Sequence, residues 1–212
     1  MLNPANLRKE YALAGLRRSD LNDDPFTQFT IWFQIAVAET IGEPNAMTLS
    51  TADADGYPSG RTVLLKGYDE RGFCFYTNYE SRKGRELAQN PRACLVFHWH
   101  NLERQVLIQG TVERVSREES LAYFHSRPRG SQLGAIVSPQ SEVIPDRDFL
   151  EQRLTALETL HATGDIPLPD NWGGFRVSPA RFEFWQGRGN RLHDRFQYIK
   201  TEHNWQIDRL SP

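Results

Sequence analysis

The chain has 212 residues, with 25 Lys plus Arg against 27 Asp plus Glu; a formal charge of −2 excludes a general attraction to nucleic acid or to an anionic membrane. Hydrophobic residues at 39% and charged residues at 25% support a core and exclude wholesale disorder, in one domain or at most two small ones. No apolar run approaches the roughly 18–20 residues of a membrane span, residues 1–18 lack a signal-peptide core, and Cys74 and Cys94 make no secreted disulfide framework, so a soluble cytoplasmic protein is expected.

Residues 1–23 show no sustained apolar period and read as a flexible arm; residues 24–212 read as a single domain. Asp24-Pro25 is an N-cap followed by proline at the first helical position. Phe26, Phe29, Phe33, Ala36 and Val37 then give a helix one apolar face, up to about Gly42. The middle is strand-rich: Met47 to Ala54, a turn at Asp55-Gly56, Arg61 to Tyr68, a turn over Asp69 to Gly72, then Phe73 to Thr77. Ser81 to Gln89 is a short helix stopped at Asn90-Pro91, and strands Ala93 to His100 and Arg104 to Val115 follow. Ser116 and Glu119 form a capping box opening a helix that reaches about Ser126. Asp146 to Ala162 is another helix, with Phe149, Leu150, Leu154, Leu157 and Leu160 on its apolar side. Strands Gly174 to Val177, Arg181 to Gln186 and an interrupted Leu192 to Ile207 close the chain. Strands dominate, and helices do not alternate with them. The expected class is mainly β with flanking helices (α+β), an antiparallel barrel. No GxGxxG or Walker pattern supports a dinucleotide or P-loop site.

Four segments carry chemistry. In Glu183 to Arg195, Gly187 and Gly189-Asn190 signal a hairpin turn. A strand beyond it would align Arg191, His193 and Arg195 on one face, where three cations call for an anion or for carboxylate partners. In Tyr79 to Gly84, Ser81 caps a helix whose first turn holds Arg82 and Lys83. Cations there oppose the helix dipole, a misfit that a bound phosphate relieves; the alternative is an exposed basic turn. Arg61 to Lys66 is an apolar strand with a cation at each end. The two have opposite parity, so a bulge or the strand's exit must re-aim one if both serve a single site. In Tyr123 to Ser131, Tyr123 and Arg127 share a helix face if the helix lasts that far. Cys94, His98 and His100 share strand parity but lack a fourth ligand at paired spacing, so no metal is expected. No Gly-x-Ser-x-Gly marks a hydrolase.

Taken together, these segments resemble the pyridoxine/pyridoxamine 5′-phosphate oxidase family. The likeness runs from Leu7-Arg8-Lys9-Glu10-Tyr11 through Arg61–Lys66, Tyr76-Thr77, Ser81-Arg82-Lys83, Glu103–Val106, Tyr123–Ser131 and Pro139-Gln140-Ser141. It ends at Glu183–Arg195 and Arg209-Leu210-Ser211-Pro212, where Ser211 replaces a frequent Ala. It implies a split β-barrel homodimer with FMN between subunits. It implies FMN contacts from Arg61, Thr62, Val63, Leu64, Leu65, Lys66, Tyr76, Thr77, Arg82, Lys83, Gln105, Gln140, Ser141, Trp185 and Arg195. The substrate phosphate falls to Lys66, Tyr123, Arg127 and Ser131. Arg191, Leu192 and His193 lie over the substrate ring, with Arg191 and His193 catalytic, and Arg8, Lys9, Glu10 and Tyr11 close on it. The implied reaction oxidises pyridoxine 5′-phosphate and pyridoxamine 5′-phosphate to pyridoxal 5′-phosphate. Hydride passes from substrate C4′ to flavin N5, and O2 reoxidises the flavin to give H2O2. Two phosphate esters require two anion sites, which bidentate Arg and a helix N-terminus supply economically. Competing readings are a flavin- or pyridoxal-phosphate-storage protein and another split-barrel flavin oxidoreductase. Tyr123, Arg127 and Ser131, with Arg191-Leu192-His193, argue against the latter.

Overall fold

The computed structural model describes residues 10, 11, 13, 15–39 and 42–212; Arg8 and Lys9 lie outside the described residues. Helix α1 (Pro25–Glu39) opens where the Asp24 carboxylate accepts the Thr27 backbone N–H at 2.9 Å, the expected cap. Its buried face is Phe29, Trp32 and Ala36; Val37 points outward at 56% exposed, and Trp32 takes the core place expected for it. The 3.6-residue period aligns positions 29, 32 and 36, whereas 37 has rotated past the contact.

Nine strands follow in one antiparallel sheet: β1 (Ala46–Ala52), β2 (Pro58–Leu64), β3 (Gly67–Asp69), β4 (Gly72–Asn78), β5 (Arg92–Trp99), β6 (Arg104–Arg114), β7 (Trp172–Gln186), β8 (Asp194–Lys200) and β9 (Trp205–Leu210). The main order is β2-β1-β5-β6-β7-β4-β3, with β8 and β9 branching from β7. One edge of β7 pairs with β6 along most of its length. The other edge is divided, residues 172–177 pairing with β4 and residues 181–186 with β8. The sheet therefore branches at β7 and remains an open, curled half-barrel.

Two expectations change here. The segment expected as one strand over 61–68 is β2 and β3, broken at Leu65-Lys66, where the Lys66 N–H turns to the Cys74 carbonyl. The strands expected at 174–177 and 181–186 are one strand, β7, carried through a register shift opposite Gln109-Gly110. A Cβ on Gly110 would collide with the Ser178 carbonyl, so the bulge requires glycine at that close approach.

The sheet curls around an aromatic core in which Phe29, Phe73, Phe75, Phe97, Phe182 and Phe184 are fully buried. Each such side chain contributes about 1.5–3 kcal/mol by area. Leu16 and Leu21 are buried in the same core. Helices α2 (Arg82–Gln89), α3 (Arg117–Ser126), α4 (Arg129–Val137) and α5 (Asp148–Leu160) flank the sheet. The capping box of Ser116 and Glu119 opens α3 as expected. The short helix α4, with Gly130 and Gly134 inside it, has no strong periodic signal and was not expected. In α5, Leu154 and Leu157 pack on a second cluster of Phe124, Leu133, Ile166, Leu168 and Trp172. Leu160, expected on that face, is instead 73% exposed at the helix end. Among the described residues, no helix is long and apolar enough to cross a membrane.

Candidate active site

The re-aiming demanded by Arg61 and Lys66 is done by the exit of β2. Beyond Leu64 the strand stops, and both cations line a cleft of about 640 Å³. Thr62, Val63 and Leu64 line it with them, whereas the Leu65 side chain turns into the core. Strand β4 contributes Tyr76, Thr77 and Asn78; α2 contributes Lys83; the α3–α4 junction contributes Tyr123, Arg127, Pro128 and Ser131. Gln140 and Trp172 complete the wall.

One end of the cleft is a polar network. Ser81 caps α2, its hydroxyl accepting the Gly84 N–H at 3.3 Å. The Lys83 ammonium, 9% exposed, donates to Thr77 Oγ1 at 3.2 Å, Ser81 Oγ at 3.4 Å and Gln140 Oε1 at 3.1 Å. All three partners are neutral oxygens. Burial, reinforced by the charge of Arg61, brings the Lys83 pKa down to about 8. Arg82 stands just outside this lining, with its Nε on Glu86 at 2.8 Å. Ser141, beside Gln140, is exposed and holds a left-handed backbone, φ 75°.

The other end is aromatic. Tyr76 and Tyr123 stack with centroids 3.9 Å apart, and Trp172 lies parallel to both. Burial pushes the Tyr76 phenol up to about 12 and the Tyr123 phenol upward, so both are neutral hydroxyl donors. The Arg127 guanidinium sits 4.7 Å from the Trp172 ring centroid, and its buried Nη1 has no partner. Arg127 itself is the extended cap residue after α3, so Tyr123 and Arg127 do not share a helix face. They meet in the cleft because α3 ends and the chain turns into α4.

The remaining expected residues lie at the far end of β7. Gln105, Trp185 and Arg195 are register partners across β6, β7 and β8, and share a sheet face. The expected alignment of Arg191, His193 and Arg195 on one strand does not occur. Residues 189–191 form a 3₁₀ turn, and β8 begins only at Asp194. Asn190 and Arg191 have φ of 56° and 63°, a left-handed pair that reverses the chain. The turn brings the His193 ring to 4.7 Å from Trp185. The Tyr11 ring packs edge-on against both, and the Arg191 guanidinium stands 6.0 Å from Tyr11. A Cβ on Gly187 would meet the Tyr11 ring at 2.9 Å, so glycine admits the arm there. Glu10 is exposed, and so is Leu192 at 68%.

The Arg188 backbone N–H donates to His193 Nδ1 at 3.1 Å. Burial and the charge of Arg191 lower the His193 pKa, so the ring is neutral with its proton on Nε2. Arg195 donates through Nε to the buried Glu183 at 2.8 Å and through Nη1 to the Ser211 carbonyl at 2.9 Å. The Ser211 contact is made through the backbone, so it does not depend on the residue-211 side chain. Cys94, His98 and His100 do not converge on one point, and no metal-binding group of three occurs among the described residues. Sequence reasoning missed Trp172 and Glu86. The i,i+4 spacing of Arg82 and Glu86 was the available signal for the second.

Within one chain the two groups attach to different stretches of β7. Tyr76 pairs with Gly174 and Gln105 with Trp185, eleven residues further along β7, or about 36 Å of extended strand.

Residues 33–161 match the family described as "Pyridoxamine 5'-phosphate oxidase", and residues 172–212 match the "Pyridoxine 5'-phosphate oxidase C-terminal dimerisation region". The chain is 58% identical over 209 residues to a pyridoxine/pyridoxamine 5′-phosphate oxidase of Crocosphaera subtropica, covering 97% of this chain and 98% of that protein. It is 56% identical over 211 residues to the protein of the same name from Salinibacter ruber, covering 98% of each. The crystal structure of PhzG from Burkholderia lata, in complex with tetrahydrophenazine-1-carboxylic acid, is 28% identical. It superposes with a TM-score of 0.89, covering 96% of this chain and 100% of that one. A pyridoxamine 5′-phosphate oxidase-related, FMN-binding protein of Nostoc punctiforme, 17% identical, shares the fold with a TM-score of 0.71 over 91% of this chain and 100% of its own.

Proposed function

Because this chain belongs to the pyridoxamine 5′-phosphate oxidase family, we propose that it oxidises pyridoxine 5′-phosphate and pyridoxamine 5′-phosphate to pyridoxal 5′-phosphate, with FMN as cofactor and O2 as electron acceptor. The observation that carries this reading is a cleft with two separate anion receptors. Lys83 is buried among neutral oxygens, and Arg127 has a buried nitrogen with no partner. Among the described residues neither group hydrogen-bonds to a carboxylate; a buried, incompletely paired cationic group is costly, and two of them fit a site that takes two phosphate esters.

Arg61, Lys83 and the N-terminus of α2, helped by Arg82, would hold the flavin phosphate; Thr77, Gln140 and Ser141 would accompany it. Lys66, Tyr123, Arg127 and Ser131 would hold the substrate phosphate, with the two neutral phenol and serine hydroxyls donating and the two cations neutralising. Bound FMN supplies the hydride acceptor, N5, for the hydride on substrate C4′, and its reoxidation by O2 gives H2O2. Gln105, Trp185 and Arg195 complete the flavin pocket from the second subunit of a homodimer. The matched dimerisation region and the separation along β7 both support that arrangement. Arg191 stabilises charge developing on the substrate ring, and His193 presents Nε2–H to its phenolic oxygen. Glu10 and Tyr11, with Arg8 and Lys9, close the arm over the ring.

The test is oxygen uptake by the FMN-loaded protein given pyridoxine 5′-phosphate. Stoichiometric uptake with formation of pyridoxal 5′-phosphate is expected. Tight binding of FMN and substrate with no uptake would identify a storage or delivery protein instead.

A further inference from the structure

Glu86 lies one helical turn beyond Arg82 on α2, and its side chain is only 6% exposed. Its carboxylate is surrounded by donors from three elements. Ser59 of β2 donates at 2.6–2.8 Å, Thr51 of β1 donates to Oε2, Arg82 Nε donates to Oε1 at 2.8 Å and Arg61 Nη2 approaches to 3.2 Å. The hydroxyls of Thr51 and Ser59 are themselves acceptors for the Arg61 guanidinium. Protons therefore point one way, from Arg61 through two hydroxyls to Glu86. Only a side chain with two acceptors and no donor satisfies this shell; a glutamine would bring an NH2 group into a ring of donors. Burial pushes the Glu86 pKa upward, but the bonds from Ser59, Thr51 and Arg82 and the charge of Arg61 outweigh it and set the value at about 2.

We propose that Glu86 is the positioning residue of the flavin-phosphate cradle, an inference that rests on the flavin reading above. Its two oxygens fix Arg61 and Arg82 before the phosphate arrives. By occupying Nε of Arg82, it leaves the two terminal nitrogens of a side chain that is 58% exposed for another partner. A flexible guanidinium ordered only on binding weakens affinity; one already held by a buried carboxylate does not incur that loss. The carboxylate's own repulsion of a phosphate would be offset by the two guanidiniums it holds.

The experiment titrates FMN and riboflavin separately into flavin-free wild type, Glu86→Gln, Glu86→Asp and Arg82→Ala, following quenching of flavin fluorescence. Riboflavin lacks the phosphate, so the ratio of the two affinities isolates the cradle. Glu86→Gln is expected to weaken FMN by about ten-fold or more while leaving riboflavin within about two-fold. Glu86→Asp should recover part of the ratio, and adding Glu86→Gln to Arg82→Ala should cost less than it does alone. If Glu86→Gln does not fold, Ser59→Ala, which removes one donor and keeps the charge, should shift the same ratio by a smaller amount. Equal loss for both flavins, an unchanged ratio or tighter FMN binding overturns the proposal. A wild type that binds both flavins equally overturns the flavin-phosphate reading itself, and this inference with it.

Discussion

The cleft and the hairpin end of β7 hold similar residues under opposite conditions. In the cleft, among the described residues, two cations are incompletely paired: Lys83 hydrogen-bonds only to neutral oxygens and the buried Arg127 Nη1 to nothing, whereas Arg61 is held by Glu86. At the hairpin end the cations are paired internally, Arg195 with Glu183 and both Arg188 and Arg209 with Asp194. The cleft rests on strands and capped helices; the hairpin end turns on two left-handed residues, Asn190 and Arg191. On the reading proposed above, that electrostatic demand makes the cleft the anion receptor. The hairpin end, where Arg188, Arg195 and Arg209 are paired with carboxylates and Arg191 stands beside the Tyr11 ring, is lined by Tyr11, Trp185 and His193 and is suited to setting the angle between rings.

The strongest challenge to this division is subunit complementation. Arg61→Ala and Arg195→Ala homodimers should each lose flavin and activity. After mixing and subunit exchange, about a quarter of the sites should be intact, because half the dimers are mixed and each mixed dimer has one undamaged site. No recovery despite dimer exchange would put both arginines on the same flavin from one chain. Next in size, Arg191→Ala should slow flavin reduction at saturating substrate about a hundred-fold, with flavin content retained. Stopped-flow absorbance at the flavin band measures it, and lost flavin with an unchanged rate would reverse the roles of the two regions.

A smaller effect separates the regions by pH. With its pKa brought from 10.5 down to about 8, Lys83 is protonated below pH 8 and can receive a phosphate directly. Above that value binding must take up a proton, so FMN affinity should fall by up to about ten-fold per pH unit. Arg61 drives this shift after burial, while Glu86 opposes it. Lys83→Met should abolish the slope, and calorimetry in buffers of different ionisation enthalpy would detect the proton. The smallest effect belongs to the C-terminus. Ser211→Ala should change thermal stability by no more than about 0.5 kcal/mol, because Arg195 uses only the Ser211 carbonyl.

Local signals were legible wherever one residue's chemistry decides the outcome. Asp24 before Pro25, Ser81 before α2 and Ser116 with Glu119 all cap as their side chains dictate. The opposite parity of Arg61 and Lys66 announced a change of direction, which the end of β2 provides. The alternation of Arg191, His193 and Arg195 misled, because a period of two is informative only if the backbone is extended. Here Asn190 and Arg191 are left-handed and the strand begins later. Helix α4 left no pattern to read, since glycines at 130 and 134 weaken its propensity and its burial comes from Trp172 and Phe124 elsewhere in the chain.

The sequence by itself determined the strand-rich antiparallel class, the starts of α1, α2 and α3 and the set of cations available for phosphate. Each depends on a residue and its near neighbours, through backbone preference, capping geometry or charge. Tertiary structure alone decided which of those cations stay unpaired and which are neutralised. It also joined two expected strands into β7 and divided that strand's second edge between β4 and β8. Those outcomes depend on how strands pair, β4 with β7 about a hundred residues apart and β8 with β7 within twenty, where register and burial choose the partner and no local pattern records the choice.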